Sequence, residues 1–520
     1  MWLRFSTGAE RTPCVQRHPS AAADGSGPFR RSHYDPTSRK FRRHSLPQDS
    51  HPAVPAGYGD EKLRGGFAFS APDARGIVSK LTVGALSLGA IWWLVGDWAV
   101  IPFLLGIALA TYAAITLADR LIESRTWRLA AAVLFATGLY GGLLALNLAG
   151  IVGNLTGNPY SESLRNQWVI TIGIGFYTLQ IIGVAVDVMR RRIVLPPLLD
   201  YVFYILYLPK FLSGPIEQAK FLERVRDYRL RYVDENLATG LPWLVLGIFM
   251  KYGVADSVSR LVDIDYLRPL GVFVMTALFE LRVYFDWAGY SLMAYGAAWC
   301  LGLPVMLNFA QPLFAHNPQE LWRRWHVSLG RWLHTYLYLP LREGLPYPLL
   351  LSFLAPICVF LISAMWHGAS FNFLLWGIFH AGAYLLFVKV LRHLSLPRLL
   401  GIAGFVFLLL VGRLLFMDDD TGRLLTKMGN LVSIEAWRAD LEPAAVRGLL
   451  DHFRSMELTK AGIVGVLVAA GVIFVEWLNE RRHPDRPYHL LTQTPAVVIL
   501  LVVTLLIVSS TDVGFVYARH

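Results

Sequence analysis

The sequence predicts an all-α protein built to span a membrane many times, and three observations carry that reading. Of its 520 residues 55% are hydrophobic and only 16% are charged, where a soluble chain carries about 25% charged residues. The mean hydropathy is +0.45, and the apolar residues fall in runs near the ~20 residues that a spanning helix needs. The excess of Lys and Arg behind the formal charge of +11 sits at the ends of those runs. Cytoplasmic loops facing an anionic leaflet have that pattern, so the charge points to membrane lipid and not to nucleic acid.

The polar segment 1–75 contains Arg39-Lys40-Phe41-Arg42-Arg43 and no spanning run. It is expected to be a disordered basic cytoplasmic tail, with residues 76–520 forming the membrane domain. Apolar helices are expected at about Val78–Leu94, Ala99–Ala118, Trp127–Ala149 and Trp168–Met189. Arg120, Arg125 and Arg128 place the second connection inside, as does Arg190-Arg191-Arg192 after the fourth helix. The N-terminus is therefore expected in the cytoplasm.

Leu195–Pro215 is apolar but broken by Pro196, Pro197, Pro209 and Ser213-Gly214-Pro215, with basic stretches at both ends. A re-entrant or interfacial element fits this pattern. Broken backbone at membrane depth survives only where protein or a water-filled cavity covers it. Helices follow at about Leu237–Tyr252 and Leu270–Ala288, then a separate Gly-rich segment Tyr290–Leu303 and a broken one, Pro304–Pro318. Glu280, Arg282 and Asp286 are expected to pair with one another in the interior. Further helices are expected at Leu349–Met365, Phe373–Val390, Leu399–Phe416, Ala461–Leu478 and Pro495–Val508, with Met417–Lys460 as an interfacial or external loop. The total is roughly ten or eleven membrane helices.

The chemistry concentrates between Glu320 and Ala381. Read as one helix, Glu320–Leu341 aligns Trp322, Trp325, Leu329 and Trp332 on a stripe, with Arg323, Arg324 and Arg331 elsewhere. This is either an interfacial helix with rings at headgroup level, or a site whose arginines meet a phosphate-bearing donor such as coenzyme A. His367 ends an apolar helix and precedes Gly368, which permits close approach of a backbone or ligand. Burial without a carboxylate partner would keep it neutral, the form a general base needs. A structural role stands beside that catalytic one. His380 is read as a packing residue. Cys14, Cys300 and Cys358 lack metal-ligand spacing, and no metal site is expected. Walker, dinucleotide, Gly-x-Ser-x-Gly and His-Glu-x-x-His signatures are absent from the sequence.

Leu321-Trp322-Arg323-Arg324-Trp325-His326-Val327-Ser328-Leu329, Tyr336-Leu337-Tyr338-Leu339-Pro340-Leu341 and Trp366-His367-Gly368-Ala369-Ser370-Phe371-Asn372-Phe373 together resemble the membrane-bound O-acyltransferase (MBOAT) family. The similarity is greatest to its bacterial branch of alginate O-acetylase and teichoic-acid D-alanyl transferase. Tyr284-Phe285-Asp286-Trp287-Ala288-Gly289-Tyr290-Ser291, Asn308-Phe309 and Gly514-Phe515-Val516-Tyr517 extend it. The resemblance implies a helical bundle around a central tunnel, in the bacterial inner membrane. It implies catalytic roles for His367 and His326, with Arg323, Arg324, Trp325, Trp366 and Asn372 as candidates for substrate binding. It also implies an acyl thioester such as acetyl-CoA as a cytoplasmic donor substrate, no bound cofactor, and a glycan or a periplasmic acyltransferase as acceptor. Acetylation of an exported polysaccharide, D-alanyl transfer from a carrier protein, and a non-enzymatic acyl or lipid conduit are the three readings. Here Pro340-Leu341 runs into Arg342-Glu343-Gly344 where that branch has Gly-Gly and a longer basic loop, so the acceptor stays open.

Overall fold

The computed structural model describes residues 74–142 and 174–507, apart from isolated positions and short turns. The segment 1–73, the connection 143–173 and residues 508–520 lie outside the described residues, and with them the expected basic tail, the end of the expected helix Trp127–Ala149, the start of Trp168–Met189 and Gly514–Tyr517. Among the described residues every regular element is helical. Seven helices are long and apolar enough to cross a membrane, and Gly175–Met189 and Thr494–Leu506 are shorter apolar ones. The count of roughly ten or eleven read from the sequence also takes in the charged helix Pro269–Cys300, these two shorter helices and a segment that is only partly described.

Helices α1 (Ala74–Val95) and α2 (Val100–Leu121) bury one side, Val83, Ile91, Leu104, Ala108 and Ile115, and leave the other apolar and exposed. Lipid is the solvent for such a face, so its exposure is stable only in a bilayer. After α3 (Ile174–Met189), α4 (Leu198–Leu206) has nine residues and rises only about 14 Å, against a hydrocarbon core of about 30 Å. It cannot cross. Its exit turn is pinned from inside: the Tyr207 hydroxyl donates to the Leu303 carbonyl at 3.1 Å. A Cβ on Gly214 would lie 2.2 Å from the Pro209 carbonyl, so only glycine lets the chain double back there. A helix this short fits the expected re-entrant or interfacial element.

Helix α5 (Val233–Ile248) runs on through a π-helical turn, Phe249–Ala255, that turns Lys251 toward Asp256 (2.7 Å) and Asp286 (2.9 Å). Its neighbour α6 is one unbroken helix, Pro269–Cys300, of 32 residues, and not the two segments expected. Gly289 and Gly296 lie within it and serve as a packing seam. A Cβ on Gly240 would meet the Gly296 carbonyl at 2.5 Å, and one on Gly247 would meet the Gly289 carbonyl at 2.6 Å. Glycines seven residues apart on two antiparallel helices thus bring the backbones into direct contact. Of the expected cluster Glu280, Arg282 and Asp286, the first two are two residues apart and point about 200° away from each other, and both carboxylates take partners from outside the set. Glu280 pairs with Arg413, and Asp286 with Lys251.

The arginine-tryptophan segment is two helices, α7 (Pro318–Arg324) and α8 (Val327–Leu333), so the expected single stripe is broken. Trp325 is extended and His326 is left-handed, with φ 47°. A partner remote in sequence imposes the break: Asn308 Oδ1 accepts from Ser328 N at 3.0 Å and from Ser328 Oγ at 2.9 Å, and the Asn308 carbonyl accepts from Val327 N at 2.9 Å. Helices α9 (Pro348–His367), α10 (Phe371–Lys389) and α11 (Arg398–Met417) then form an antiparallel set. The expected loop 417–460 contains three short helices, α12 (Thr421–Val432), α13 (Ile434–Asp440) and α14 (Pro443–Ser455). Helices α15 (Thr459–Arg482) and α16 (Thr494–Ile507) follow.

Candidate active site

His367 is the last residue of α9, and the helix itself fixes its protonation. Its Nδ1 lies 2.7 Å from the Ser363 carbonyl one turn back. A carbonyl oxygen only accepts, so Nδ1 carries the proton and Nε2 keeps its lone pair. The ring lies parallel to Trp287 at 6.2 Å and edge-on to Trp366 at 4.9 Å, with Trp376 at 5.4 Å and Phe416 at 5.5 Å. His367 is half-buried. Gly368 is required because a Cβ there would sit 2.6 Å from the Phe373 ring; the close approach is made by an aromatic ring of the next helix.

His326 is 5% exposed, and its Nδ1 has no hydrogen-bond partner among the described residues. Phe176, Trp366, Phe309 and Trp287 surround it at 6.0, 6.0, 6.1 and 6.3 Å. Burial, reinforced by the nearby His367, pushes its pKa down to about 3. It is a neutral imidazole at any physiological pH. The two histidines thus share Trp287 and Trp366 as walls. They also open on the same cavity of about 40 Å³, lined in addition by Trp325, His380 and Arg413. That is space for about two or three waters, the size of the reacting end of a thioester and not of its carrier.

Of the residues singled out from the sequence, the structure brings together His326, His367 and Trp325 at the cavity, with Trp366 against both imidazoles. Arg324 is held elsewhere, donating to Glu320 at 2.6 Å and to Glu480 at 2.8 Å. That ion pair outweighs the burial that would raise the Glu320 carboxyl and holds it below its usual range. Arg323 is more exposed, 3.9 Å from Glu320. Asn372 is buried and ties α10 to the turn between α11 and α12: it donates to the Asp418 carbonyl at 2.8 Å and accepts from Thr421 Oγ1 at 2.9 Å.

Sequence reasoning missed Arg413, Ser363 and the standing of His380. A signal for Arg413 was present, since it is the one ionisable residue within Leu399–Phe416, and such residues mark sites by default. His380 is 5% exposed with an unpartnered Nδ1. Among the described residues no cluster of His, Cys, Asp and Glu could hold a metal ion.

Comparison with known proteins adds to this geometry. Residues 162–409 match the model of the membrane-bound O-acyltransferase family. A peptidoglycan O-acetyltransferase of Helicobacter pylori is 30% identical over 259 residues, 44% of this chain and 49% of that protein. A probable alginate O-acetylase of Pseudomonas aeruginosa is 30% identical over 296 residues, 54% of this chain and 55% of that protein. A teichoic acid D-alanyltransferase of Bacillus subtilis is 24% identical over 265 residues, 48% of this chain and 66% of that protein. The chain therefore spans about half the length of the first of these relatives. Both histidines, the aromatic walls from Trp287 to Trp376 and the left-handed break lie within the segment 162–409 that matches the model of the membrane-bound O-acyltransferase family.

Proposed function

We propose that the protein is a membrane O-acyltransferase that moves an acetyl group from a cytoplasmic thioester, acetyl-CoA, toward hydroxyls of an exported or cell-surface polysaccharide. The observation that carries this is the His367 imidazole, whose Nδ1–H is committed to Ser363 so that Nε2 faces its surroundings as a base. In the reaction the acceptor oxygen attacks the thioester carbonyl carbon as Nε2 takes the hydroxyl proton. The C–S bond then breaks, and the imidazolium returns the proton to the thiolate. His326, neutral and unpartnered at Nδ1, contributes the second imidazole of the cavity. A cavity this small and aromatic excludes bulk water and so limits hydrolysis of the thioester. The named relatives that acetylate peptidoglycan and alginate support this choice of reaction and acceptor class.

Basic residues Lys389, Arg392 and Arg398 flank the turn between α10 and α11, and Arg190, Arg191 and Arg192 follow α3. On the positive-inside pattern these ends face the cytoplasm, and we place the protein in the inner membrane with its basic N-terminal tail inside. The immediate acceptor is the glycan or a periplasmic acyltransferase that completes the transfer. Substrate contacts by Arg323, Arg324 and Asn372 would lie beyond the cavity walls. The relation to a D-alanyltransferase supports a second reading, D-alanyl transfer from a carrier protein to a cell-wall polymer. The test is chemical. Surface polysaccharide from cells carrying wild type or His367→Ala at equal membrane level is treated with mild alkali. Acetate released by wild type and absent from the variant is expected. D-alanine in its place would select the second reading, and equal acetate from both would reject the assignment of His367.

A further inference from the structure

The cavity has one fixed cation, and the mechanism above leaves it unused. Arg413 comes from α11, four residues beyond the family-matched segment. Its Nε donates to Glu280 of α6, and the guanidinium plane lies over the Trp325 ring at 4.9 Å. Its terminal nitrogens have no other hydrogen-bond partner among the described residues, and the side chain is 11% exposed. Next to it stands His380, held edge-on by Trp322 at 5.0 Å and Trp376 at 4.7 Å, its Nδ1 unpartnered. The fit is tight, because a Cβ on Gly412 would lie 2.5 Å from His380 Nε2. A buried arginine whose one carboxylate contact uses Nε, with an unpartnered imidazole beside it, is aimed at an acceptor that the chain itself does not supply. A Glu280–Arg413 pair serving stability alone would be satisfied on both sides, yet Glu280 Oε1 also lacks a partner.

We propose that Arg413, anchored by Glu280 and Trp325 and flanked by His380, binds the carbonyl oxygen of the acyl thioester and holds the charge that develops on it. This rests on the acyl-transfer reading. The carbonyl oxygen receives the π electrons as the acceptor oxygen bonds to carbon. Arg413 donates to that oxyanion, and the electrons return to re-form C=O as the C–S bond breaks and the thiolate takes the proton from His367. Arg413 stays protonated throughout. A fixed donor in a water-poor cavity stabilises such charge far more than it would in water.

The experiment uses full-length protein in cells, with alkali-released acetate as readout and detergent-extracted yield and melting temperature as controls. Arg413→Gln is expected to lose about 100- to 1,000-fold in ester formation. Its effect on stability alone would be hard to interpret, so the double variant Glu280→Gln/Arg413→Gln decides. It replaces the ion pair by a neutral pair and leaves no unpaired buried charge. It should be extracted and melt like wild type, and remain inactive. Glu280→Gln alone keeps the cation and should retain measurable transfer. Recovery of near wild-type transfer in the double variant would overturn the proposal, reducing Arg413 to a structural partner. Absence of both acetate and D-alanine ester from wild type would instead overturn the acyl-transfer reading, on which this rests.

Discussion

His326 holds a left-handed backbone and a buried imidazole at once, and a substitution series separates the two. A non-glycine residue at φ 47° bears about 1–2 kcal/mol of steric cost. His326→Gly removes that cost but gains unfolded-state entropy worth about 0.4–1 kcal/mol. His326→Ala keeps the cost and also empties the space between Phe176, Trp287, Phe309 and Trp366. The glycine variant should therefore be as stable as the alanine variant or up to about 1.6 kcal/mol more stable, the difference of those two terms. His326→Asn tolerates the left-handed backbone and returns a polar group. Melting temperature in detergent and alkali-released acetate, read side by side, make the assay. Stability should rank glycine and asparagine above alanine, while ester formation falls at least about tenfold in all three, which corresponds to about 1.4 kcal/mol in the barrier. Wild-type transfer by His326→Gly would refute the reasoning, since the backbone turn alone would then suffice.

Three further outcomes are expected. Asn308→Ala leaves Ser328 N and Oγ without their shared acceptor and should cost about 1–3 kcal/mol for each donor left unsatisfied. Thermal melting would measure that cost, and transfer should fall with it as His326 loses its fixed position. Gly247→Val places side-chain atoms where even a Cβ would lie 2.4 Å from Met293 N. It should reduce folded yield by overpacking of at least about 1–3 kcal/mol, measured by size-exclusion chromatography, whereas exposed Phe273→Val on α6 should not. The third concerns pH. His326 falls from 6.5 in the unfolded chain to about 3 when folded, so below about pH 6.5 the unfolded state binds the proton that the folded state refuses. Stability is fully present above pH 6.5 and declines as pH falls toward 3. His326→Gln should flatten melting temperature against pH across that window, and an unchanged slope would remove His326 as its source.

Local signals were legible, and signals made by partners remote in sequence were not. The uninterrupted run Pro348–Met365 ending in His367 marks its helix unaided, and the prolines of 195–215 mark the re-entrant element. The break at Trp325–His326 contains neither glycine nor proline; it is imposed by Asn308, which precedes Ser328 by 20 residues. Arg413 is visible as a charge in an apolar run, but its partner Glu280 is 133 residues away. The Gly-rich segment Tyr290–Leu303 reads as separate from its helix because a sequence shows the cost of glycine within a helix and not the neighbouring backbone that occupies the vacated space. The same limit hid the commitment of Arg324 to Glu480, 156 residues on.

The glycine seam between α5 and α6 has a practical consequence for handling the protein. Where the Gly240–Gly296 and Gly247–Gly289 pairs put backbone against backbone, no crevice is left for a lipid tail or a detergent chain to wedge into. These two helices will leave the bilayer as one welded piece, and α6 carries Glu280, Trp287 and Asp286 with it. α1 and α2, which present broad greasy flanks such as Trp93 and Leu117, depend far more on what surrounds them. A detergent screen should therefore be judged by how well it keeps α1 and α2 docked, because the wall residue Trp287 and the Arg413 anchor Glu280 travel ready-made on α6.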